Sequence, residues 1–137
     1  VYTFKKLLIL EEEVSKLILH YKTDLLVLAG FMKILSSKFI HSLPHNSIIN
    51  LHPSLLPAFQ GKDAIEQALN YGVKYTGITI HHVDEGIDTG IIIDQAILAI
   101  NENDTPKILQ DRIQVIEHNL YPFIIKRLLD EKKSKKN

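Results

Sequence analysis

Apolar residues recur along the first half of the chain with two different spacings, and each spacing predicts a different element. Over residues 10–21 they fall at helical spacing, with Val14, Leu17 and Ile18 on one face, which is typical of an amphipathic helix. Residues 24–30 and 47–50 are short apolar runs bounded by turn residues, as buried parallel strands are. The first half is therefore predicted to be a helix followed by two strands.

The second half continues the alternation of helices and strands. A short helix is predicted over 63–71, ending at Gly72, and β-rich segments over 75–83 and 91–100. Alternating elements around apolar strands indicate an α/β fold with a mostly parallel sheet flanked by helices.

The last helix has its own start signal. Thr105 followed by Pro106 is typical of an N-cap and a first helical residue. Pro122 lies inside the apolar pattern that follows, and we expect it to kink or interrupt the helix because proline has no backbone N–H. Residues 1–130 are predicted to form a single domain, and 131–137 a flexible, Lys-rich tail.

Composition narrows the class of protein. The chain has 137 residues with 16 basic and 16 acidic side chains, so it lacks the positive excess of a nucleic-acid binder. It has no apolar run long enough to span a membrane, and no cysteine for disulfide or thiolate chemistry. These features favour a cytoplasmic protein that acts on small molecules, without nucleic-acid or membrane partners.

Two polar residues at the end of a predicted strand could carry chemistry. Asn50 and His52 are two positions apart, so an extended chain directs both side chains to the same face. Pro53 disfavours helical geometry at His52. An amide N–H and an imidazole can together stabilise an oxyanion and move a proton, which suits acyl transfer. Taken alone, the pattern fits equally well an Asn and a His that satisfy loop backbone.

An acidic loop is the second candidate. Asp84, Glu85 and Asp88 lie between β-rich segments, and Gly86 and Gly90 allow tight turning. A carboxylate near His52 would favour its protonated form. A solvent-facing acidic turn is the plainer interpretation of this loop.

Metal and serine chemistry are not expected. His81 and His82 alternate across a strand and cannot bind one ion together, and no zinc motif is present. Ser54 lacks the glycines of a nucleophile elbow, so packing or capping explains it better.

Four segments together resemble the phosphoribosylglycinamide formyltransferases of purine biosynthesis. They are residues 28–36 (LAGFMKILS), 49–57 (INLHPSLLP), 77–90 (GITIHHVDEGIDTG) and 117–122 (EHNLYP). Their order and spacing agree over about 25–123, most of the chain.

The resemblance implies a Rossmann-like formyltransferase fold and transfer of a formyl group from 10-formyltetrahydrofolate, a cosubstrate, to glycinamide ribonucleotide, without a metal. Asn50, His52 and Asp88 would be the catalytic residues, with His52 the proton donor. Folate would lie, largely through backbone groups, against Met32, Lys33, Ile34, Leu35, Asn50, Asp84, Glu85, Gly86, Ile87 and Asp88. The ribonucleotide would lie against Gln114, Val115, Ile116 and Glu117, the last contacting its ribose or amine.

The chain also departs from the family. Gln60 and Ile91 stand where the family usually has proline, which predicts altered loop rigidity. Nothing matches the N-terminal phosphate-binding strand and Gly-x-Gly-Ser-Asn turn, so a domain truncated at its N-terminus is expected. The alternatives are a catalytically incomplete folate-binding module, a methionyl-tRNA formyltransferase or a formyltetrahydrofolate hydrolase. Oligomeric state, monomer or homodimer, stays open.

Overall fold

A computed structural model describes residues 4–29 and 34–136, with four strands and helices on both sides of them. In chain order the elements are α1 (Phe4–Tyr21), β1 (Leu26–Ala29), α2 (Ser37–His41), β2 (Ile48–His52), α3 (Ala64–Tyr71), β3 (Tyr75–His82), β4 (Ile92–Ala99) and α4 (Pro106–Lys136). The predicted α/β class and flanking helices are confirmed. Within the described ranges, no helix is both long and apolar enough to cross a membrane.

The sheet is mixed, where a mostly parallel one was expected. Its strands lie in the order β1-β2-β3-β4; only β1 and β2 are parallel, and β3 is antiparallel to both β2 and β4. The short loop over residues 83–91 explains why β3 and β4 are antiparallel, because parallel neighbours need a longer crossover connection. The antiparallel pairing of β2 with β3 joins strands that are distant in sequence. Parallel and antiparallel buried strands have similar apolar patterns, so the pattern alone did not distinguish them.

The two faces of the sheet differ in chemistry. The face carrying Ile49, Leu51, Ile78 and Ile80 packs against α3 and α4 and forms the larger hydrophobic cluster. Because side chains alternate along a strand, the other face receives the polar residues of β2 and β3. The smaller cluster lies under α1 and α2 and is built on Leu35, Phe39 and Ile48. Polar residues of the central strands are thus left beside the smaller cluster.

Helix α2 was not predicted from the sequence, since five residues are too few to establish a helical spacing. Its start is fixed by side chains: Ser36 Oγ accepts the backbone N–H of Phe39 at 3.1 Å. The buried Glu11 carboxylate on α1 accepts the Ser36 N–H at 2.9 Å. These contacts hold α2 against α1 and fix the chain that leads out of β1.

Helix α4 begins as expected and ends later than expected. Thr105 Oγ1 accepts the N–H of Ile108 at 3.2 Å, which confirms the N-cap. The helix continues through Pro122, so the predicted interruption is wrong. Pro122 is exposed, and solvent can satisfy the carbonyl that its ring leaves without an amide partner. Residues 131–136 of the Lys-rich tail continue the helix, which Lys126–Asp130 and Arg127–Glu131 pairs support.

Tyr121 links α4 to the parallel strands. Its hydroxyl donates to the carbonyl of Leu28 in β1 and lies 3.5 Å from the carbonyl of Ile49 in β2. Burial raises the pKa of the Tyr121 phenol well above its ordinary value, so the group stays a neutral donor. One hydroxyl therefore contacts both members of the parallel pair.

Candidate active site

Strand β2 places Asn50 and His52 on the polar face, as predicted. Both are almost fully buried, at 3% and 1% exposed. His52 Nδ1 lies 3.4 Å from Asp88 Oδ2, and the Asp88 side chain is 6% exposed. The structure thus brings the predicted trio to one place, with an imidazole and a carboxylate paired away from water.

Asp88 reaches this place by a route that the sequence did not predict. Because β3 is antiparallel to β2, the loop after β3 starts beside the first residue of β2, where Val83 N–H donates to Ile48 O at 3.0 Å. The loop must therefore turn back over the polar face to reach His52. At Gly90 an added Cβ would lie 1.7 Å from the carbonyl oxygen of His82, so this return requires glycine.

The acidic loop organises itself with its own side chains. Asp84 Oδ1 accepts from Gly86 N–H at 2.9 Å and from Thr89 Oγ1 at 2.7 Å. Asp88 adopts a left-handed conformation with φ 54°, a region in which aspartate is better tolerated than most residues. The loop is thus a folded support for one buried carboxylate and differs from a simple solvent-facing turn.

A second loop, residues 53–63, closes the site from the other side. Gly61 N–H donates to Asp88 Oδ2 at 2.7 Å, and Gln60 Nε2 donates to the Asp88 carbonyl at 3.3 Å. Ser54 Oγ donates to Ala58 O at 2.6 Å, which confirms a structural role for this serine. The Gln60 amide therefore makes a contact to the acidic loop that proline could not make.

Strand β3 anchors the beginning of the same loop. Thr79 Oγ1 accepts Leu56 N–H at 3.0 Å and donates to Ser54 O at 2.7 Å. Gln95 Nε2 donates to Leu56 O and to Thr79 Oγ1, both at 3.0 Å. The loop is therefore held to the sheet before it reaches the carboxylate.

The contacts of His52 define where its ring can carry protons. Nε2 lies 2.8 Å from the carbonyl oxygen of Phe59, which can only accept, so Nε2 carries a hydrogen. A neutral ring would then turn the lone pair of Nδ1 towards the Asp88 carboxylate. A ring carrying a second proton turns an N–H towards it instead. The pair can therefore hold an imidazolium, the form that acts as a proton donor.

The predicted folate contacts after β1 are only partly described. Met32 and Lys33 lie outside the described residues. Ile34 is 50% exposed, whereas Leu35 packs in the smaller hydrophobic cluster at 6% exposed. Ile34 is thus available to a ligand through its side chain, and Leu35 only through its backbone.

The acidic loop offers folate mainly backbone. The side chain of Asp84 bonds within the loop, and Glu85 Oε1 accepts from Ser37 Oγ at 3.1 Å and pairs with His41 Nε2 at 3.1 Å. Gly86 and Ile87 are exposed. Because the carboxylates of Asp84 and Glu85 already have partners, the expectation of backbone contacts fits this geometry.

The predicted ribonucleotide contacts on α4 divide between surface and core. Gln114 and Val115 are exposed, and Ile116 packs against the larger hydrophobic cluster. Glu117 is partly buried, and this burial raises its pKa, although His118 nearby acts in the opposite direction. A cationic or hydroxyl partner would therefore stabilise the charged form of the Glu117 carboxylate.

Sequence reasoning missed His81 as a neighbour of the trio. His81 Nε2 lies 3.6 Å from Asp88 Oδ1, and His81 stands directly opposite Asn50 in the β2–β3 pairing. Only the pairing of β2 with β3 identifies His81 as a neighbour, and this pairing cannot be read from the sequence. His82 faces the other side; its burial, reinforced by His45 and Lys132, lowers its pKa.

No three His, Asp or Glu side chains in the described ranges are grouped as metal ligands. The site consists of paired imidazole and carboxylate groups, an amide side chain and backbone N–H groups. Such a set can stabilise an oxyanion and transfer protons.

The family model for formyl transferases matches residues 2–125, a range that includes the mixed sheet and its polar centre. The chain belongs to the formyl transferase family. Within it, the chain is 47% identical over 116 residues to the phosphoribosylglycinamide formyltransferase of Bacillus subtilis, covering 85% of this chain and 58% of that protein. This chain therefore spans less than two thirds of that relative.

A human protein and a bacterial crystal structure extend the similarity. A trifunctional purine biosynthetic protein from Homo sapiens is 43% identical over 102 residues, which cover 74% of this chain and 10% of that protein. The phosphoribosylglycinamide formyltransferase of Bacillus halodurans superposes with a TM-score of 0.81 at 47% identity, covering 87% of this chain and 61% of that one. The predicted family resemblance is confirmed.

Proposed function

We propose that this chain carries the catalytic centre of a phosphoribosylglycinamide formyltransferase, which transfers a formyl group from 10-formyltetrahydrofolate to the amine of glycinamide ribonucleotide. The observation that carries the proposal is the buried His52–Asp88 pair, 3.4 Å apart, beside Asn50 in a chain of this family. The substrates are small molecules, and neither nucleic acid nor a membrane takes part. The balanced charge and lack of cysteine suit a cytoplasmic reaction.

The reaction begins when the substrate amine attacks the formyl carbon. The carbonyl oxygen becomes an oxyanion, which the amide N–H of Asn50 would stabilise as a hydrogen-bond donor. The protonated ring of His52, whose two N–H groups face Phe59 O and Asp88, would stabilise it through its positive charge. One such donor is worth about 100- to 1000-fold in rate. Burial strengthens these hydrogen bonds because little water competes for them.

Collapse of the intermediate completes the transfer. The bond from the formyl carbon to the folate nitrogen breaks, while the new bond to the substrate nitrogen remains. The attacking amine must lose a proton and the departing folate nitrogen must gain one. His52 supplies and recovers a proton in this exchange, and Asp88 balances the charge of its imidazolium form.

The remaining predicted contacts would position the substrates. Folate would lie against the chain after β1, including Ile34, and against the exposed backbone of Gly86 and Ile87. Glu117 would contact the ribose or amine of the ribonucleotide.

Turnover of two variants tests the proposal. We expect His52→Ala to lower the rate of formylated product formation by about 1000-fold, because it removes both the positive charge beside the oxyanion and the proton carrier. Asp88→Asn should have a comparable effect, because it removes the charge that favours the imidazolium. Product is measured with 10-formyltetrahydrofolate and glycinamide ribonucleotide, and circular dichroism checks that each variant folds.

His20→Ala is the matched control, since His20 is an exposed histidine on α1. Its turnover should equal that of the unmodified chain. Near-normal turnover in folded His52→Ala would exclude the catalytic role of His52. If the unmodified chain binds tetrahydrofolate in calorimetry but forms no product, it is an incomplete folate-binding module, and the enzyme proposal fails for this chain.

A further inference from the structure

The Asp88 carboxylate lies between two buried histidines, of which the proposed chemistry uses one. His52 Nδ1 faces Oδ2 at 3.4 Å, and His81 Nε2 faces Oδ1 at 3.6 Å. His81 is 2% exposed. In the part of the chain that the structure describes, neither of these ring nitrogens has a closer hydrogen-bond partner. Each oxygen of the carboxylate thus has its own imidazole.

The orientation of His81 is set by the strand that carries it. Its Nδ1 lies 2.9 Å from the carbonyl oxygen of His82, which can only accept, so Nδ1 carries a hydrogen and Nε2 points at Asp88. His81 stands in β3, paired on both sides by β2 and β4. Asp88 stands in a loop, so the histidine is the better-fixed member of the pair.

The other contact of the carboxylate comes from a loop as well. Gly61 N–H donates to Oδ2, the same oxygen that faces His52. Oδ1 has only His81 beside it among the ionic contacts of the described residues. Without His81, only the groups beside Oδ2, Gly61 N–H and the His52 ring, would limit rotation of the carboxylate.

We propose that His81 is a positioning residue, which holds the Asp88 carboxylate in the orientation that pairs it with His52. This inference rests on the proposed function for its catalytic consequence, but the positioning itself is a property of this chain without substrate. His81 does not touch the reacting atoms; it acts through Asp88.

Two substitutions separate the two nitrogens of the ring. Because Nδ1 carries one hydrogen, Nε2 presents an N–H to Asp88 only when the ring carries a second proton, and His81→Gln places an amide N–H near that position of Nε2. His81→Asn keeps a donor only near the position of Nδ1, towards the His82 carbonyl. The unmodified chain, both variants and the control His20→Gln are compared by ¹⁵N NMR of the His52 ring and by ¹³C NMR of the Asp88 carboxyl.

The Asn variant should move the His52 Nδ1 and Asp88 carboxyl resonances, and the Gln variant should restore both towards their original positions. In turnover, the Asn variant should lower kcat by up to about 100-fold with little change in KM, and Gln should recover most of it. Unchanged resonances in a folded Asn variant would overturn the proposal. Equal effects of both substitutions would also overturn it, because only packing at His81 would then matter.

The two proposals can fail separately. If the unmodified chain makes no product but the Asn variant moves the His52 and Asp88 resonances, His81 positions the carboxylate and the enzyme proposal fails. If turnover is normal and His81→Asn changes neither resonances nor kcat, the enzyme proposal stands and the role of His81 is refuted.

Discussion

Asp88 combines two features that are unfavourable alone. Its backbone is left-handed, which costs about 1 kcal/mol for a residue with a side chain, and its carboxylate is nearly buried. A buried charge is tolerated only where donors or cations surround it. Gly61 N–H donates to this carboxylate, and the rings of His52 and His81 become cations beside it when each carries a second proton, so the strain and the burial are compensated at the same residue.

Glu117, which we propose contacts the ribonucleotide, should show the opposite balance, because its charged form lowers the stability of the folded chain. Burial raises its pKa, so folding favours the neutral carboxyl; this contribution is present below about pH 4.5 and is lost as pH rises through the raised pKa. We expect Glu117→Gln to unfold at a higher urea concentration than the unmodified chain at pH 7, with the difference disappearing near pH 4.

Glu102→Gln, in an exposed turn before α4, is the control for removing one negative charge. It should change the urea midpoint little at either pH. If Glu117→Gln is less stable at pH 7, the carboxylate has a favourable partner in the folded chain. The proposed substrate contact further predicts a higher KM for glycinamide ribonucleotide in this variant.

At the scale of elements, the β3–β4 pairing supports the polar face. Gly77 in β3 stands opposite Ile97, and an added Cβ would lie 1.9 Å from the carbonyl oxygen of Ala96 and 2.8 Å from the Leu55 side chain. The backbone of β4 and the start of the 53–63 loop thus both approach β3 at this glycine. The close approach places Thr79, two residues on, within reach of that loop.

Gly77→Ala should therefore destabilise the chain through steric overlap with backbone. We expect a loss of at least about 2 kcal/mol in the free energy of unfolding, measured in urea. Gly72→Ala is the control: its φ of 87° favours glycine, which the φ of Gly77 does not, but no atom lies within 4 Å of the added Cβ. The control should lose only about 1 kcal/mol, and equal losses would mean that the close approach at Gly77 is unimportant.

At the scale of the molecule, the two hydrophobic clusters are unequal. The cluster beneath α3 and α4 contains eight buried residues and the one beneath α1 and α2 contains three, among the residues that the structure describes. Apolar burial is the main favourable term in folding, so the layers differ in stability. The proposed site lies on the side of the smaller cluster.

Amide hydrogen exchange should reveal this asymmetry. Local opening requires less free energy where fewer apolar residues are buried, so backbone amides of α2 and the end of α1 should exchange at least about 10-fold faster than those of β3 and the middle of α4. The comparison is made at neutral pH with correction for intrinsic rates. Uniform protection across both layers would show that they open as one cooperative unit.

The sequence predicted those parts of the fold that depend on local chemistry. The N-cap at Thr105 and the helix end at Gly72, where the backbone is left-handed, are such cases. The shared face of Asn50 and His52 follows from strand alternation alone. By contrast, the direction of β3 and the position of His81 both depend on pairing between strands that are distant in sequence. Helix α2 was missed because its stability comes from Ser36 and Glu11, outside its own five residues.

The site divides in the same way between local and distant information. The resemblance to a family predicted that His52 and Asp88 are partners, and the structure places them 3.4 Å apart. The backbone groups around them, Phe59 O and Gly61 N–H, have no signature in a sequence because every residue has them. Their positions depend on loop conformation.

The Tyr121 hydroxyl has a consequence for how the parallel strands align. A shift of β1 by one residue along β2 would displace it by about 3.3 Å and turn each of its side chains to the opposite face. It would also carry the Leu28 carbonyl away from the Tyr121 hydroxyl that donates to it, which lies 3.5 Å from Ile49 O of the other strand. Among the strands that the structure describes, β1 pairs with β2 alone, so Tyr121 opposes slippage of β1 along that one neighbour. The distance from the end of β1 to Asn50, which any ligand lying between them must match, is thereby fixed from α4.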